Sequence, residues 1–281
     1  MMDIPLSLTR ILEYGASVHG DTTVTTWHGE GTGSEFDPAE EVTFRDIAAR
    51  AAAFAHAIHD ELGITSDERV GSFMWNCAEH LEIMFGTACK GAIFAPLNKQ
   101  LMNDQIRHII NHAEISAIVC DPRLAQQLGK VLVGTDSVGS VIITGAQPAQ
   151  QFAHLFPRGV EVYSYEALID GRSTVYDWPE LDERTAAALC YSTGTTGAPK
   201  GVLYSHRSLY LEAMQLRSSD SLCITHGETF LCCIPICHVL SWGVPFTCFM
   251  TGTPLVLPDA DVSAPTLALS LIHISEPTRP L

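Results

Sequence analysis

Apolar residues recur along the chain with two different periods, and the two alternate. From Phe44 to Leu62, the positions Phe44, Ile47, Ala48, Ala51, Ala55, Ile58 and Leu62 fall on one stripe of a helix. Gly63 follows, where a helix can end. Short apolar runs then alternate with helical ones: VGSFMW, AEHLEIMFGTACK, AIFAPL, NDQIRHIINHAE, SAIVC, PRLAQQLGKVL and SVIIT. Strand and helix in turn, at βαβ spacing, predict an α/β fold of mostly parallel sheets flanked by helices. Two stretches interrupt the pattern. Gly29–Glu41 (GEGTGSEFDPAEE) is rich in glycine and acid, and predicts an exposed loop or hairpin; Gly145–Phe152 reads the same way. The alternation resumes with AAALCYS as a strand, VLYSH as a second short strand and RSLYLEAMQL as a helix.

Charge and cysteine usage narrow the function classes. Sixteen basic against thirty-two acidic residues give a net charge of −16, which disfavours nucleic acid and anionic membrane surfaces. The N-terminal twenty residues carry Asp3, Arg10 and Glu13 among their apolar positions, unlike a secretory signal, and no apolar run is long enough to span a bilayer. Nine cysteines without framework spacing fit free thiols in a reducing cytoplasm. CCIPICH suggests zinc only superficially: no second CxxC pair follows, so small buried thiols at a strand end are expected and no metal ligand is assigned.

Between the last two strands stands YSTGTTGAPKGV, Tyr191–Val202. Glycines and small hydroxyl residues let successive backbone N–H groups converge on an anion, and Ser192, Thr193, Thr195 and Thr196 add hydroxyl donors. Lys200 adds a mobile positive charge suited to phosphate. The spacing is not that of a P-loop NTPase, which requires GxxxxGK followed by Ser or Thr; here Pro199 precedes Lys200 and Gly201 follows it. A loop at the end of a sheet strand is also where open α/β folds bind ligands.

YSTGTTGAPKGVLYSHRS resembles the phosphate-binding signature of the adenylate-forming superfamily, the acyl-CoA synthetases and their relatives, usually YTSGTTGxPKGV or FTSGTTGxPKGV; here Ser192 and Thr193 are exchanged. The helix in MWNCAEHLEIMFGTACKGAIFAPLN, the INHAE stretch at 110–114 and IPICHVLSWGVPF look like further family segments, the last similar to the branch acting on medium-chain fatty acids. Where NPRL is frequent, this chain has Asn98, Lys99, Gln100 and Leu101.

The resemblance implies a two-step reaction: a carboxylate attacks the α-phosphate of Mg-ATP to give an acyl-adenylate, then coenzyme A displaces AMP. It implies that Ser192, Thr193, Gly194, Thr195, Thr196 and Gly197 hold the β- and γ-phosphates, that Lys200 assists pyrophosphate departure, and that His238, Trp242 and Gly243 belong to the acid or adenylate pocket. Mg2+ arrives with the nucleotide. His238 could equally cap the strand TFLCCIPI, and Trp242 could serve as pocket wall or core. Glu79, His80, Glu82 and His112 show no metal or acid–base spacing and read as helix-face or helix-end residues.

At the C-terminus, LSLIHISEPTR resembles the translation of a transposon-end adapter used for sequencing libraries. The expected organisation is therefore residues 1–268 as the N-terminal portion of the family's large domain and 269–281 as a non-native tail. On that reading the nucleotide-base motifs and the C-terminal lid are missing, the chain alone makes no acyl-CoA, and an apolar face is left uncovered near VPFTCFM and TPLVLP. A non-catalytic nucleotide-binding module is the alternative reading.

Overall fold

The computed structural model describes residues 3–28, 39–192, 198–263 and 267. Helix α1 (Leu8–Val18) leads into the hairpin β1 (Thr23–Trp27) and β2 (Ala39–Thr43), so the acidic Gly29–Glu41 stretch ends inside a hairpin strand. Helix α2 (Phe44–Asp60) starts in a capping box: Thr43 Oγ1 accepts the Asp46 N–H at 3.1 Å, and Asp46 returns a carboxylate oxygen to the Thr43 N–H at 2.9 Å. Gly63, at φ 65°, lets the chain turn back so that the Ile64 N–H reaches the Ile58 carbonyl at 2.9 Å.

The predicted alternation follows as β3 (Arg69–Phe73), α3 (Ala78–Cys89), β4 (Ile93–Pro96), α4 (Asn103–Ala113), β5 (Ile115–Cys120), α5 (Ala125–Leu132) and β6 (Ser140–Ile143). Then come β7 (Glu161–Ser164), α6 (Tyr165–Ile169), β8 (Ala186–Ser192), β9 (Lys200–Ser205), α7 (His206–Leu216), β10 (Phe230–Leu231), a helix over Val244–Thr251 and β11 (Leu255–Leu257). One sheet has the order β7-β6-β5-β3-β4-β8-β9, parallel except for β9 at its edge; the other has the order β10-β11-β1-β2, with β2 antiparallel. Because β4 lies on one side of β3 and β5 on the other, the winding direction reverses at β3. The carboxyl ends of β3 and β5 flank that reversal, which is where such sheets leave a crevice, and the carboxyl end of β8 lies along the same edge beyond β4.

Apolar layers hold the sheets together. Phe54, Phe85 and Phe249 from the helices between the sheets join Val24 and Leu255 of the smaller sheet to Phe94 and Val119 of the larger. On the far face of the larger sheet, Ile106 and Ile110 of α4 and Leu128 and Leu132 of α5 pack on Phe73, Ile118 and Val141. Among the described residues no helix is long and apolar enough to cross a membrane.

Two expectations need correction. VPFTCFM and TPLVLP are not uncovered: every residue of Val244–Thr251 is buried, and β11 is an inner strand between β10 and β1. A helix that is apolar all round has neighbours on every side. Among the described residues, exposed apolar side chains include Val202 and Leu203 on edge strand β9 and Leu211 and Met214 on α7. The second correction concerns α3, whose His80 and Glu82 face inward. His80 is bonded to Ser72 Oγ at 2.8 Å and to the Trp75 carbonyl at 2.9 Å, and burial pulls its pKa down to about 3. Burial pushes the Glu82 carboxyl up to about 7 despite the Arg50 guanidinium 2.8 Å away, and the Tyr165 hydroxyl donates to it at 2.7 Å.

Candidate active site at the carboxyl edge of the large sheet

Antiparallel pairing of β8 with β9 brings the two ends of the glycine-threonine loop together. Ser192 and Lys200 form the last pair of the ladder, both exposed, at the edge where the parallel strands end. Thr193, Gly194, Thr195, Thr196 and Gly197 lie outside the described residues. Below that pair Tyr191 stands opposite Gly201, and a Cβ on Gly201 would come 3.1 Å from the tyrosine ring and 3.1 Å from Leu189. Glycine is therefore required for the ring to lie across β9. His112 Nδ1 lies 2.6 Å from the Tyr191 hydroxyl, so this helix-end histidine has a hydrogen-bonding task at the base of the loop.

The opposite wall comes from the segment after β10. Asn76, at the carboxyl end of β3 and buried, donates to the Ile234 carbonyl at 2.7 Å and the Cys232 carbonyl at 3.3 Å, and accepts the Ile236 N–H at 3.2 Å. The following residues Val239, Leu240, Ser241 and Trp242 have φ of 39°, 49°, 56° and 55°, a left-handed turn completed by Gly243 at 77°. Such a conformation costs non-glycine residues roughly 1–2 kcal/mol each, so the surroundings must hold it. Leu240 is buried, and the Ser241 hydroxyl, fully buried, donates to the Ile234 carbonyl at 2.8 Å.

Between these walls lies a cavity of about 380 Å³. Cys190, Tyr191 and Ser192 line it from β8, Val202 and Tyr204 from β9, and Ile234, Cys237, His238, Val239 and Trp242 from the left-handed side. That size is at the lower end of small-molecule pockets, and the lining is apolar with a few polar groups, as such pockets usually are. His238 and Trp242 meet there, whereas Gly243 faces away, its Cβ direction leading to Glu212 of α7 at 3.2 Å. β10 ends at Leu231, well before His238. Burial pushes the Cys237 thiol up, so it stays neutral in the cavity wall. Two cavities of about 470 Å³ lie elsewhere, but Arg50 and Arg172 beside the first and Arg10 beside the second are committed to ion pairs.

Behind the site an ionic cluster centred on the buried Asp259 ties the end of β11 to the large sheet. Asp259 accepts Arg123 Nη2 at 2.7 Å and Nη1 at 2.8 Å, meets His28 Nδ1 at 3.0 Å, and donates its own N–H to the Asn76 carbonyl at 3.0 Å. Its hydrogen bonds to His28 and Arg123 hold the Asp259 carboxyl below the usual range although burial opposes them. Lys99, in the segment departing from NPRL, sits 3.9 Å over the Trp75 ring and donates to the Met74 carbonyl at 3.2 Å. Burial lowers its pKa. Asn76 and Ser241 escaped the sequence reading. Their only signal was a polar residue closing an apolar run, in MWN and LSW.

Comparisons with known proteins show the family and the fold. The chain is 32% identical over 267 residues to the 3-methylmercaptopropionyl-CoA ligase of Ruegeria pomeroyi, covering 95% of this chain and 48% of that protein. It is 31% identical over 271 residues to a medium-chain-fatty-acid–CoA ligase of Ectopseudomonas oleovorans, covering 95% of this chain and 47% of that protein. The chain thus spans about half the length of the curated relatives it matches. The crystal structure of the anthranilate CoA ligase AuaEII in complex with anthranoyl-AMP shares the fold, with a TM-score of 0.80 at 22% identity over 96% of this chain and 48% of that one. The model of the AMP-binding enzyme family matches residues 12–278, nearly the whole chain, and the chain belongs to that family.

Proposed function

We propose that the protein containing this chain activates a carboxylic acid with an apolar chain, first as acyl-adenylate and then as acyl-CoA. The observation that carries this reading is the pairing of Ser192 with Lys200 across one hairpin, beside an apolar cavity, at the carboxyl edge of the sheet. A carboxylate is a weak nucleophile and ATP a polyanion, so the first step depends on neutralising and aligning phosphates. Lys200 supplies positive charge to the departing pyrophosphate, with Ser192 and Thr193–Gly197 as donors around it, in a protein whose overall field would otherwise repel ATP. The acid oxygen forms a bond to the α-phosphorus and pyrophosphate leaves with the electrons of the broken bond. The coenzyme A thiolate then attacks the acyl carbon and AMP departs.

Ile234, Val202, Val239 and Trp242 give the acid an apolar wall, and His238 stands at its rim. Relatives named for 3-methylmercaptopropionate and for medium-chain fatty acids favour a short to medium acid. Nine free cysteines suit a reducing compartment, and we place the reaction in the cytoplasm. The test is a product assay on a full-length protein containing these residues, supplied with Mg-ATP, coenzyme A and acids from propionate to decanoate. AMP and thioester formed in equal amounts support the reading; release of ADP and phosphate independent of acid contradicts it.

A further inference from the structure

The Ile234 carbonyl is a junction between the sheet and the left-handed turn. It accepts the Asn76 amide at 2.7 Å from the β3 side and the Ser241 hydroxyl at 2.8 Å from within the turn, with the Cys232 thiol a weaker third donor at 3.9 Å. Asn76 is itself fixed, since its carbonyl accepts the Asp259 N–H at 3.0 Å. Ser241 is fully buried, while its neighbour Trp242 is 55% exposed along the cavity. Burial of a small polar side chain next to an exposed tryptophan inverts the usual preference of both residue types. The inversion is a consequence of the left-handed backbone, which turns Ser241 inward to the carbonyl and Trp242 outward to the cavity.

We propose that Ser241, backed by Asn76 through the Ile234 carbonyl, is a positioning residue that holds Trp242 against the cavity and so sets which acids fit. The proposal rests on the reading of that cavity as the acid site. Ser241 touches no substrate; it acts by keeping four non-glycine residues in a conformation they would otherwise leave. A bond that merely stabilised the core would tolerate neither loss of the hydroxyl nor a glycine. A bond whose task is to hold the turn has a different signature: glycine adopts the left-handed region without penalty, so it removes the strain at 241 that the hydroxyl offsets, and alanine keeps that strain while losing the bond.

The chain labelled with 5-fluorotryptophan gives one fluorine resonance for each of its four tryptophans, and Trp242→Phe identifies the one of interest. Ser241→Ala is expected to shift or broaden the Trp242 resonance and leave the other three in place. Ser241→Gly is expected to keep all four. Asn76→Asp, which removes the amide donor to Ile234, should move Trp242 as Ser241→Ala does and gives a second arm should alanine at 241 prevent folding, as checked by far-ultraviolet circular dichroism. An unmoved Trp242 in both Ser241→Ala and Asn76→Asp, or equal shifts in the alanine and glycine variants, overturns the proposal. In the full-length protein, Ser241→Ala should change the ratio of kcat/KM between short and long acids by about tenfold, with Ser241→Gly near wild type. If Trp242→Ala changes that ratio and Ser241→Ala does not, the positioning role is wrong. If Trp242→Ala itself leaves the ratio unchanged, the acid-cavity reading falls, and the specificity claim with it.

Discussion

The layer between the two sheets and the rim at the carboxyl edge are built in opposite ways. In the layer, Phe44 stacks on Phe249 at 3.9 Å and Phe85 lies 4.8 Å from the same ring, all three fully buried on helices of ordinary geometry. At the rim, backbone in the left-handed region, single buried hydrogen bonds and a hairpin do the shaping, and Trp242 stands exposed. Stability is concentrated where local preference and packing agree, and the proposed site lies where they conflict. Damage to the layer should therefore unfold the chain, while damage to the rim should leave it folded and change what it does.

The largest effect that separates the two regions is Phe85→Ala. It removes a ring in contact with two others in the sealed layer and should lower stability by about 3–5 kcal/mol, measured by urea unfolding. A loss below about 1 kcal/mol would show that the layer is not the stabilising half of the comparison. Next in size, Trp242→Ala should leave the unfolding midpoint and the KM for ATP close to wild type while changing the preference between short and long acids about tenfold in the full-length protein. Reduced nucleotide affinity with unchanged acid preference would remove Trp242 from the acid wall.

The smallest effect sharpens the boundary between layer and rim. The hydrogen bond to Asp259 and the Glu40 carboxylate 3.9 Å away raise the His28 pKa to about 9, against about 6.5 when unfolded. The folded chain therefore holds a proton that the unfolded chain releases, so this contribution is full below pH 6.5 and is lost as pH rises through 9. Unfolding midpoints should decline over that window, and His28→Gln should flatten the decline. Parallel curves for the two proteins would mean that the ionic cluster behind Asn76 carries no such linkage.

The same division explains what the sequence reveals. Helices α2 and α4 and the parallel strands are legible because their apolar positions match their burial, whereas α7 also carries Leu211 and Met214 on its exposed side; the glycine-threonine loop stands out in the sequence by its composition alone, and its central residues lie outside the described ones. Glu82 and His80 were misread because α3 is buried on every side, so no polar face exists for the period to report. Ser241 and Asn76 were invisible for a different reason. Their importance comes from one carbonyl that receives hydrogen bonds from residues far apart in the chain, and from a backbone conformation that no residue preference encodes.

We propose above all that Lys200, paired with Ser192 at the loop's mouth, assists transfer of the adenylyl group to a carboxylate. Carboxylate-dependent exchange of labelled pyrophosphate into ATP, compared between the full-length protein and its Lys200→Ala variant at saturating ATP, measures that step without coenzyme A. The account predicts exchange that requires the acid and falls by roughly two to three orders of magnitude in the variant, the scale for removing a positioned electrostatic group. Exchange that is equally fast in the variant, or that proceeds without any acid, would contradict it.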